Sequence, residues 1–320
     1  MGMSVWGGAY IDTFLKWTLP SLMAHGNLHA LCEEYHVLID IHTDAQGSEY
    51  IRSRLPFILG VDFRVGVDVD KNEEKYAQLG RHQHSDLVEA KRIGADYHLL
   101  MPDFIYSENC FAGVITASQY HKAIVRLVLS TEQEEIIPEL HHYHYGEAIM
   151  VPANHLASLA VKNVHSGVEN WFASKGGYPN THVIAWEAEN ILHMCSPHNT
   201  PVYIANEAIR IPESNKPLDS ILDQIIIGDI YCTKPEDGIV IIEMSPKSSR
   251  KPNDKRIDTA EFCRIFRWDT GNSRRQLDIF NDETVDPICR DMLGCDWWND
   301  VEISRQKSII MDALRKNIGS

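Results

Sequence analysis

The sequence predicts an α/β protein with a mainly parallel central sheet that is covered by helices, followed by a small C-terminal appendage. Strand and helix signals alternate through the first half of the 320-residue chain. The strand-like runs are continuously apolar, which is typical of parallel strands that are buried on both faces. Hydrophobic residues make up 44% of the chain, enough to bury a large core.

Composition excludes several classes of protein. The 30 basic and 45 acidic residues give a formal net charge of −15, which argues against a general nucleic-acid-binding surface. The seven cysteines form no CxxC pair, which favours reduced thiols in a cytoplasmic protein. The first residues lack the pattern of a signal peptide, and no apolar run approaches the ~18–20 residues of a membrane span. We therefore expect a cytoplasmic protein with no membrane span.

The first half of the chain contains the clearest repeats of strand and helix. Four strands are predicted there: Met3–Trp6, Tyr35–His42, Phe63–Val69 and Tyr97–Met101. The helices between them are Tyr10–Ala24 with a kink at Pro20, a helix from about Gln46 capped by Thr43-Asp44, and Asn72–Gly94 with Asn72 as its cap and Gly94 as its end.

The second half has shorter elements separated by turn-rich stretches. The predicted strands are Lys122–Leu129, Val183–Trp186, Val202–Ala205 and Ile239–Glu243, and the predicted helices are Glu132–His142, Asn154–Ser174 and Glu302–Lys316. Residues 246–256 are rich in Lys, Ser and Pro and are interpreted as a loop or linker. This divides the chain into a catalytic domain, residues 1–250, and an appendage, residues 251–320, that contacts an acceptor or forms a homo-oligomer.

Several common catalytic motifs are missing from the sequence. No GxGxxG follows the first strand, which disfavours a dinucleotide-binding Rossmann domain. The sequence also lacks the P-loop GxxxxGK[ST], the serine elbow GxSxG and the zinc motif HExxH. What remains is a chemistry of carboxylates and histidines placed at strand ends.

Asp103 is the first candidate for a metal ligand. The predicted fourth strand breaks at Pro102, which is expected to expose this carboxylate at the edge where open α/β sheets bind ligands. Mg²⁺ and Mn²⁺ prefer carboxylate oxygens together with phosphate oxygens and water. The alternative is that Asp103 only caps a turn. Asp68 and Asp70 form a DxD pattern and are the second candidate, although Asp70 is also placed to cap the next helix.

Histidines and one glutamate give further candidates. His198 lies in the proline-rich loop His193–Pro201, where it either binds a metal or phosphate or has a structural role. Glu187 follows a predicted strand, where it acts as a general base on a sugar hydroxyl or is a solvated acid. The three histidines of His141–His144 are expected to bind metals only adventitiously. His82 and His84 are interpreted as surface residues of a helix.

A family resemblance joins these motifs. Its residues are Trp6-Gly7 through Phe14, Leu19–Leu22, Gly26–Leu28, Ile41–Asp44, Pro102–Ser107, Trp186, His198–Pro201 and Leu218–Leu222. They resemble a group of bacterial glycosyltransferase-like proteins with the nucleotide-diphospho-sugar transferase fold, called GT-A. The resemblance covers roughly residues 3–245, in scattered motifs.

The resemblance implies roles for particular residues. Trp6, Gly7 and Gly8 would lie beside the nucleotide base and ribose, and Thr43 and Asp44 near the base. Asp103 would take the position of the metal-binding DxD acid, and His198 would approach the diphosphate. Two departures stand out: Met101-Pro102-Asp103 replaces a full DxD, and Thr200 stands where a second histidine is expected.

The sequence therefore predicts a glycosyltransferase that moves a sugar from a nucleoside diphosphate donor to a glycan or other hydroxyl acceptor, in surface polysaccharide or glycoconjugate synthesis. A Mn²⁺ or Mg²⁺ ion would neutralise the leaving diphosphate, and Glu187 would be the base if the reaction inverts the anomeric centre. Two alternatives stay open. One is a nucleotidyltransferase on the same fold, and the other is a catalytically silent protein that binds a glycan or a nucleotide.

Overall fold

A computed structural model describes most of the first 249 residues of the chain. The described ranges are residues 1–70, 72–126, 128–166, 184–188, 191–195, 200–213, 216–218, 221–228, 230–233 and 237–249. The predicted appendage, residues 251–320, and its predicted helix Glu302–Lys316 lie outside them.

The first sheet is parallel and has the order β1-β2-β3. Its strands are β1 (Gly2–Ser4), β2 (Val37–Thr43) and β3 (Val61–Val67). The chain between and after these strands is mainly helical: α1 (Gly8–Thr13), a π-helical turn (Phe14–Thr18), α2 (Leu19–Leu22), α3 (Leu28–Glu34), α4 (Ala45–Arg52) and α5 (Lys75–Ile93). Three of the four strands predicted in the first half are thus confirmed, with shifted ends.

The predicted fourth strand forms only isolated bridges. Leu99 bridges to Gly2 in the parallel direction, and Tyr97 bridges to Ile204 in the antiparallel direction. Residues 97–100 therefore lie beside β1 on the side away from β2. Through these bridges the first sheet is connected to the sheet that contains Ile204. Strands β2 and β3 lie on one side of β1 and residues 97–100 lie on the other, so the strand order reverses at β1.

The remaining sheets are small and mixed in direction. Their strands are β4 (Phe104–Tyr106), β5 (Ala123–Arg126), β6 (Leu129–Glu132), β7 (His144–Tyr145), β8 (Ala148–Ile149), β9 (Ile184–Ala188), β10 (Ile191–Cys195), β11 (Thr200–Ile204), β12 (Tyr231–Cys232) and β13 (Ile241–Ser245). The orders are β11-β5-β12 and β4-β13-β6, each with one antiparallel and one parallel pair, and two hairpins, β7-β8 and β9-β10. The α/β class is confirmed, but the described chain has several small mixed sheets where one mainly parallel sheet was predicted.

The α-helices that the structure describes after β4 are short. They are α6 (Cys110–Ser118), α7 (Gln133–Leu140), α8 (Ala153–Lys162) and α9 (Leu222–Ile225). The α7 and α8 segments confirm two predicted helices; α8 ends at Lys162 because Asn163 leaves the helical conformation, and residues 167–174 of the predicted helix Asn154–Ser174 lie outside the described residues. The described residues contain no helix with the length and apolar character that crossing a membrane requires.

Helix ends show where local sequence rules applied and where they did not. Asp44 caps α4 as predicted, since its Oδ1 accepts a hydrogen bond from the Gly47 amide at 2.7 Å. Gly94 ends α5 with a left-handed φ of 73°. The predicted cap of α5 at Asn72 is wrong: Glu74 caps the helix by accepting from the Ala77 amide.

Two clusters of buried residues form the core. The larger packs the first sheet against its helices and includes Phe14, Ile39 and Leu87. The smaller gathers Trp17 and Ile242 with residues of α7 and α8. Because residues near 240 belong to both clusters, the described chain is packed together up to its last strand, β13.

Candidate functional site

A cleft of about 1000 Å³ opens at the carboxyl ends of the three parallel strands. Each strand delivers residues to it: Trp6-Gly7-Gly8 after β1, Asp44 after β2 and Asp70 after β3. Helices α1, α4 and α5 supply the remaining walls. Open α/β sheets bind ligands outside the carboxyl ends of their strands, where the strand order turns over. Here that point lies between β1 and residues 97–100.

A second cavity, of about 500 Å³, lies near the amino ends of these strands and is lined by Val37, Asp62 and Tyr97 among others. It has half the volume of the cleft. None of the predicted nucleotide- or metal-binding residues that the structure describes lines it. We therefore place the candidate site in the larger cleft.

The structure brings together four of the five residues predicted to bind a nucleotide. Trp6, Gly7, Gly8 and Asp44 all line the cleft. Thr43 is the exception, because its side chain is fully buried behind α4. Its hydroxyl has no hydrogen-bond partner among the residues that the structure describes.

Gly7 and Gly8 leave the backbone open to a ligand. A Cβ atom built on either glycine would meet no described heavy atom within 4 Å. Gly7 also has a φ of 80°, a conformation that residues with a Cβ adopt at a cost. The peptide groups that follow β1 are therefore accessible from the cleft. The backbone conformation at Gly7 favours glycine at that position.

Charge in the cleft is mainly negative. Its described lining carries five carboxylates, Asp12, Asp44, Glu49, Asp70 and Glu73, against a single cation, Lys75. Lys75 donates a hydrogen bond to Tyr10 Oη at 3.3 Å and lies 4.8 Å from the centre of the Tyr10 ring. Burial lowers the pKa of Lys75, but Tyr10, Tyr76 and Asp103 outweigh it, and the pKa is raised overall. Lys75 is therefore a fixed positive charge in an acidic cleft.

Asp103 is not exposed, and the prediction that Pro102 presents it to solvent is wrong. Only 9% of the residue is accessible, because the chain turns directly into β4 and packs against β13. The backbone carbonyl of Asp103 accepts a hydrogen bond from the Met244 amide at 2.8 Å. Asp103 nevertheless lies close enough to Lys75 to raise its pKa. Its role as a metal ligand stays a prediction.

The side chains of Asp68 and Asp70 do not lie in the same site. Asp70 lines the cleft, and its Oδ1 accepts a hydrogen bond from the Asn72 amide at 2.9 Å. Asp68 Oδ2 instead lies 2.5 Å from His42 Nδ1. The pattern that looks like one metal site in sequence is divided between the cleft and a histidine cluster beneath it.

This His–Asp cluster consists of His42, Asp68, His82 and Asp86. His42 lies between the two acids, with Nδ1 2.5 Å from Asp68 Oδ2 and Nε2 2.8 Å from Asp86 Oδ1. The His82 ring stacks on the His42 ring, with centroids 4.5 Å apart and 10° between the planes. Ser4 Oγ lies 3.1 Å from His82 Nδ1, and the Trp6 ring packs at 90° to the His82 ring with centroids 6.2 Å apart. Through Trp6 the cluster touches the wall of the cleft.

The pKa shifts of His42, His82 and Asp86 indicate which residues of the His–Asp cluster are charged. Burial lowers the pKa of His42, but the hydrogen bonds to Asp68 and Asp86 dominate and raise it to about 10. Burial raises the pKa of Asp86, against the pull of His42. Burial and the charge of His42 lower the pKa of His82. In the absence of a metal, His42 is therefore a cation held between two acids, and His82 is neutral.

The interpretation of His82 as a surface residue is wrong, since its side chain is 1% exposed. A signal was present in the sequence: His82 and Asp86 are four residues apart, which places them on one face of α5. In the described residues, two overlapping groups are arranged so that they could hold a metal ion, namely His42 with Asp68 and His82, and His42 with Asp40 and Asp86. Within each group the ligand atoms lie within 4.8 Å of one another.

The other predicted residues are placed only in part. Glu187 lies within β9, opposite Leu192 of β10, rather than after the end of a strand. Its predicted role as a base stays a prediction. His198 lies outside the described residues. His141 and His144 are exposed and pack edge-on against Trp17.

Comparison with known proteins gives no family assignment. No protein-family model and no curated protein matches the chain. The function must therefore be argued from the cleft and the residues around it.

Proposed function

We propose that the cleft binds a nucleoside diphosphate sugar and that the protein transfers the sugar to a hydroxyl acceptor. One observation carries the proposal: Trp6, Gly7, Gly8 and Asp44 converge on one cleft at the carboxyl ends of β1 and β2. These residues come from two separate parts of the sequence. Their position, next to the point where the strand order turns over, is where sheets of this kind bind nucleotides.

The cleft offers chemistry that suits a nucleoside. Trp6 and Tyr50 line it and supply aromatic surface for a base. The open backbone at Gly7 and Gly8 allows close approach by a ribose or phosphate. Asp44 uses Oδ1 to cap α4, which leaves its other carboxylate oxygen to accept from ligand hydroxyls.

The charge of the cleft favours a donor that arrives with a divalent cation. Asp12 is paired with Lys16 and Glu73 with Arg81, and the other three carboxylates of the described lining outnumber its one lysine and would repel a bare diphosphate. Mn²⁺ or Mg²⁺ would be held by phosphate oxygens together with carboxylates of the cleft, of which Asp70 and Glu73 lie near Lys75 in sequence. The ion would supply charge neutralisation for the leaving diphosphate. The metal-binding roles predicted for Asp103 and His198, and the role of Glu187 as base, belong to this proposal.

The residues of the chain would then do three things. Trp6 and the two glycines would orient the nucleoside, and Lys75 would hold a fixed positive charge near the diphosphate. The acceptor hydroxyl would lose its proton to a carboxylate base as the new bond forms. The sugar would leave the diphosphate as the acceptor oxygen replaces it.

Calorimetric titration with UDP and GDP, each with and without Mn²⁺, tests the proposal. We expect binding that depends on Mn²⁺, and at least tenfold weaker binding in Gly7→Ala. Gly146→Ala is the matched control: Gly146 also has a positive φ, 61°, and open space around its Cβ position, but it lies in the β7–β8 turn away from the cleft. A protein that binds no nucleoside diphosphate, or a Gly7→Ala variant that binds normally, would contradict the proposal.

Two other outcomes identify the alternatives. Binding of nucleoside triphosphates alone would indicate a nucleotidyltransferase. Binding of glycans without any nucleotide would indicate a catalytically silent binding protein. Hydrolysis of a nucleotide sugar in the presence of Mn²⁺ would support transfer.

A further inference from the structure

We propose that His42, Asp68 and His82 form a binding site for a divalent transition-metal ion such as Zn²⁺. This site is separate from an ion carried into the cleft by a diphosphate, and it does not depend on the proposed sugar transfer. It joins the ends of two strands to the middle of a helix.

The fold brings the three ligands together. His42 is paired with Gly66 in the parallel register of β2 and β3, so Asp68, two residues further on, arrives beside it. The Asp68 amide donates to the carbonyl of Thr43 at 3.2 Å, which fixes the chain after β3. The first half of α5 adds His82, whose Nε2 lies 3.8 Å from Asp68 Oδ1.

The donor set selects the kind of ion. Two imidazoles and one carboxylate are a common ligand set for zinc in enzymes, with a further position left for water or substrate. Mg²⁺ and Ca²⁺ prefer sites made of oxygen ligands. Because Asp68 is 38% exposed while both imidazoles are buried, the site has access to solvent on one side only.

Partners in the surrounding shell occupy one nitrogen of each imidazole ring. Asp86 Oδ1 accepts from His42 Nε2 at 2.8 Å, and Ser4 Oγ lies 3.1 Å from His82 Nδ1. Metal-bound histidines usually give their second nitrogen to such a carboxylate or hydroxyl group. The other two nitrogens face Asp68: His42 Nδ1 lies 2.5 Å from Asp68 Oδ2, and His82 Nε2 lies 3.4 Å from the Asp68 backbone carbonyl oxygen.

A second observation concerns Asp86. Its side chain is 5% exposed, and among the described residues its Oδ2 has no hydrogen-bond partner. A buried carboxylate with an unsatisfied oxygen is costly. A divalent ion beside His42 would add positive charge next to this acid.

Binding requires one movement that can be measured. The His42 and His82 rings are nearly parallel, so their in-plane lone pairs do not meet at one point. The ion would take the place of the proton between His42 Nδ1 and Asp68, and the His82 ring would turn about its Cβ–Cγ bond. Because the Trp6 and His82 rings pack at 90° with centroids 6.2 Å apart, this turn would change the surroundings of Trp6 at the wall of the cleft.

Titration of the full chain with Zn²⁺, Co²⁺ and Mg²⁺ tests the site. We expect one Zn²⁺ to bind per chain, no comparable binding of Mg²⁺, and visible Co²⁺ absorption bands without a sulfur-to-cobalt band. Zn²⁺ affinity should fall at least tenfold in His82→Gln and in Asp68→Asn. Asp68→Asn is the safer variant for folding because Asp68 is partly exposed.

Two controls separate this site from adventitious binding. His84→Gln alters a neighbouring histidine of α5 outside the cluster, and the triple variant His141→Gln/His142→Gln/His144→Gln removes the exposed histidines. Both should bind Zn²⁺ as the wild type does. The proposal is overturned if the wild type binds no Zn²⁺, if His82→Gln and Asp68→Asn bind normally, if the triple variant loses the ion, or if Co²⁺ shows sulfur ligation.

Discussion

The imidazole of His82 lies flat on the imidazole of His42, with 4.5 Å between the ring centroids. His42 comes from the end of a strand and His82 from the helix that crosses it, so the stack fastens α5 to the first sheet. His42 is also bonded on both sides by acids, Asp68 and Asp86. A buried cluster of two histidines and two acids therefore adjoins the candidate cleft through Trp6.

Replacing His42 should be strongly destabilising. His42→Gln removes the cation and leaves Asp86 buried without its ionic partner, for which we expect a loss of about 3–5 kcal/mol in the free energy of unfolding. Urea denaturation in the presence of a chelator measures this without a contribution from bound metal. In the double variant His42→Gln/Asp86→Asn, the loss should be smaller than the sum of the two single losses.

An exposed pair gives the control for that experiment. His36 Nε2 lies 3.0 Å from Asp62 Oδ2, but both side chains are about 70% exposed. His36→Gln should cost less than about 1 kcal/mol because solvent screens such a pair. Equal losses for His36→Gln and His42→Gln would show that burial of the cluster contributes nothing.

Sequence patterns predicted local structure better than they predicted the sheets. Apolar runs and helix-end residues such as Asp44 and Gly94 act over a few positions, and these predictions are confirmed. The partners of a strand depend on distant residues: Gly2 bridges to Leu99, and β13 pairs with β4 and β6. No local pattern contains that information, which is why one sheet was predicted where the described chain has several.

The candidate site shows the same limit. Trp6, Gly7, Gly8 and Asp44 follow strands in the sequence, and strand ends meet at one edge of a parallel sheet, so their convergence could be foreseen. The burial of Asp103 could not be foreseen, because it depends on β13, which is more than a hundred residues away in the sequence. Likewise, the burial of His82 depends on how α5 rotates over the sheet.

Thr43→Val tests whether Thr43 contacts a nucleotide, as the family resemblance implies. The Thr43 hydroxyl is buried and has no partner in the described part of the chain, so a valine of nearly the same shape removes an unsatisfied polar group. We expect unchanged or slightly increased stability, by up to about 1 kcal/mol, and an unchanged dissociation constant for UDP or GDP. Thermal unfolding and calorimetry measure the two quantities. Weaker nucleotide binding in Thr43→Val would place the hydroxyl in contact with the ligand.

Glu132 should make stability depend on pH in the acid range. Its carboxylate accepts from the Ser166 amide at 3.0 Å and from Lys247 Nζ at 2.9 Å, and only 7% of its side chain is exposed. The hydrogen bond to Ser166 acts against burial, and together with Lys247 it lowers the pKa of Glu132 from 4.5 to about 2.

The folded pKa of Glu132 lies below its unfolded value, so the ionised carboxylate stabilises the protein above about pH 4.5. This contribution is lost as the pH falls from about 4.5 towards 2. Glu132→Gln should therefore be less stable than the wild type at pH 7, by on the order of 1–3 kcal/mol, with a difference that shrinks below pH 4. Urea denaturation at pH 7, 5, 4 and 3 measures the difference between the two proteins. A difference that stays constant across these pH values would mean that the charge of Glu132 does not stabilise the fold.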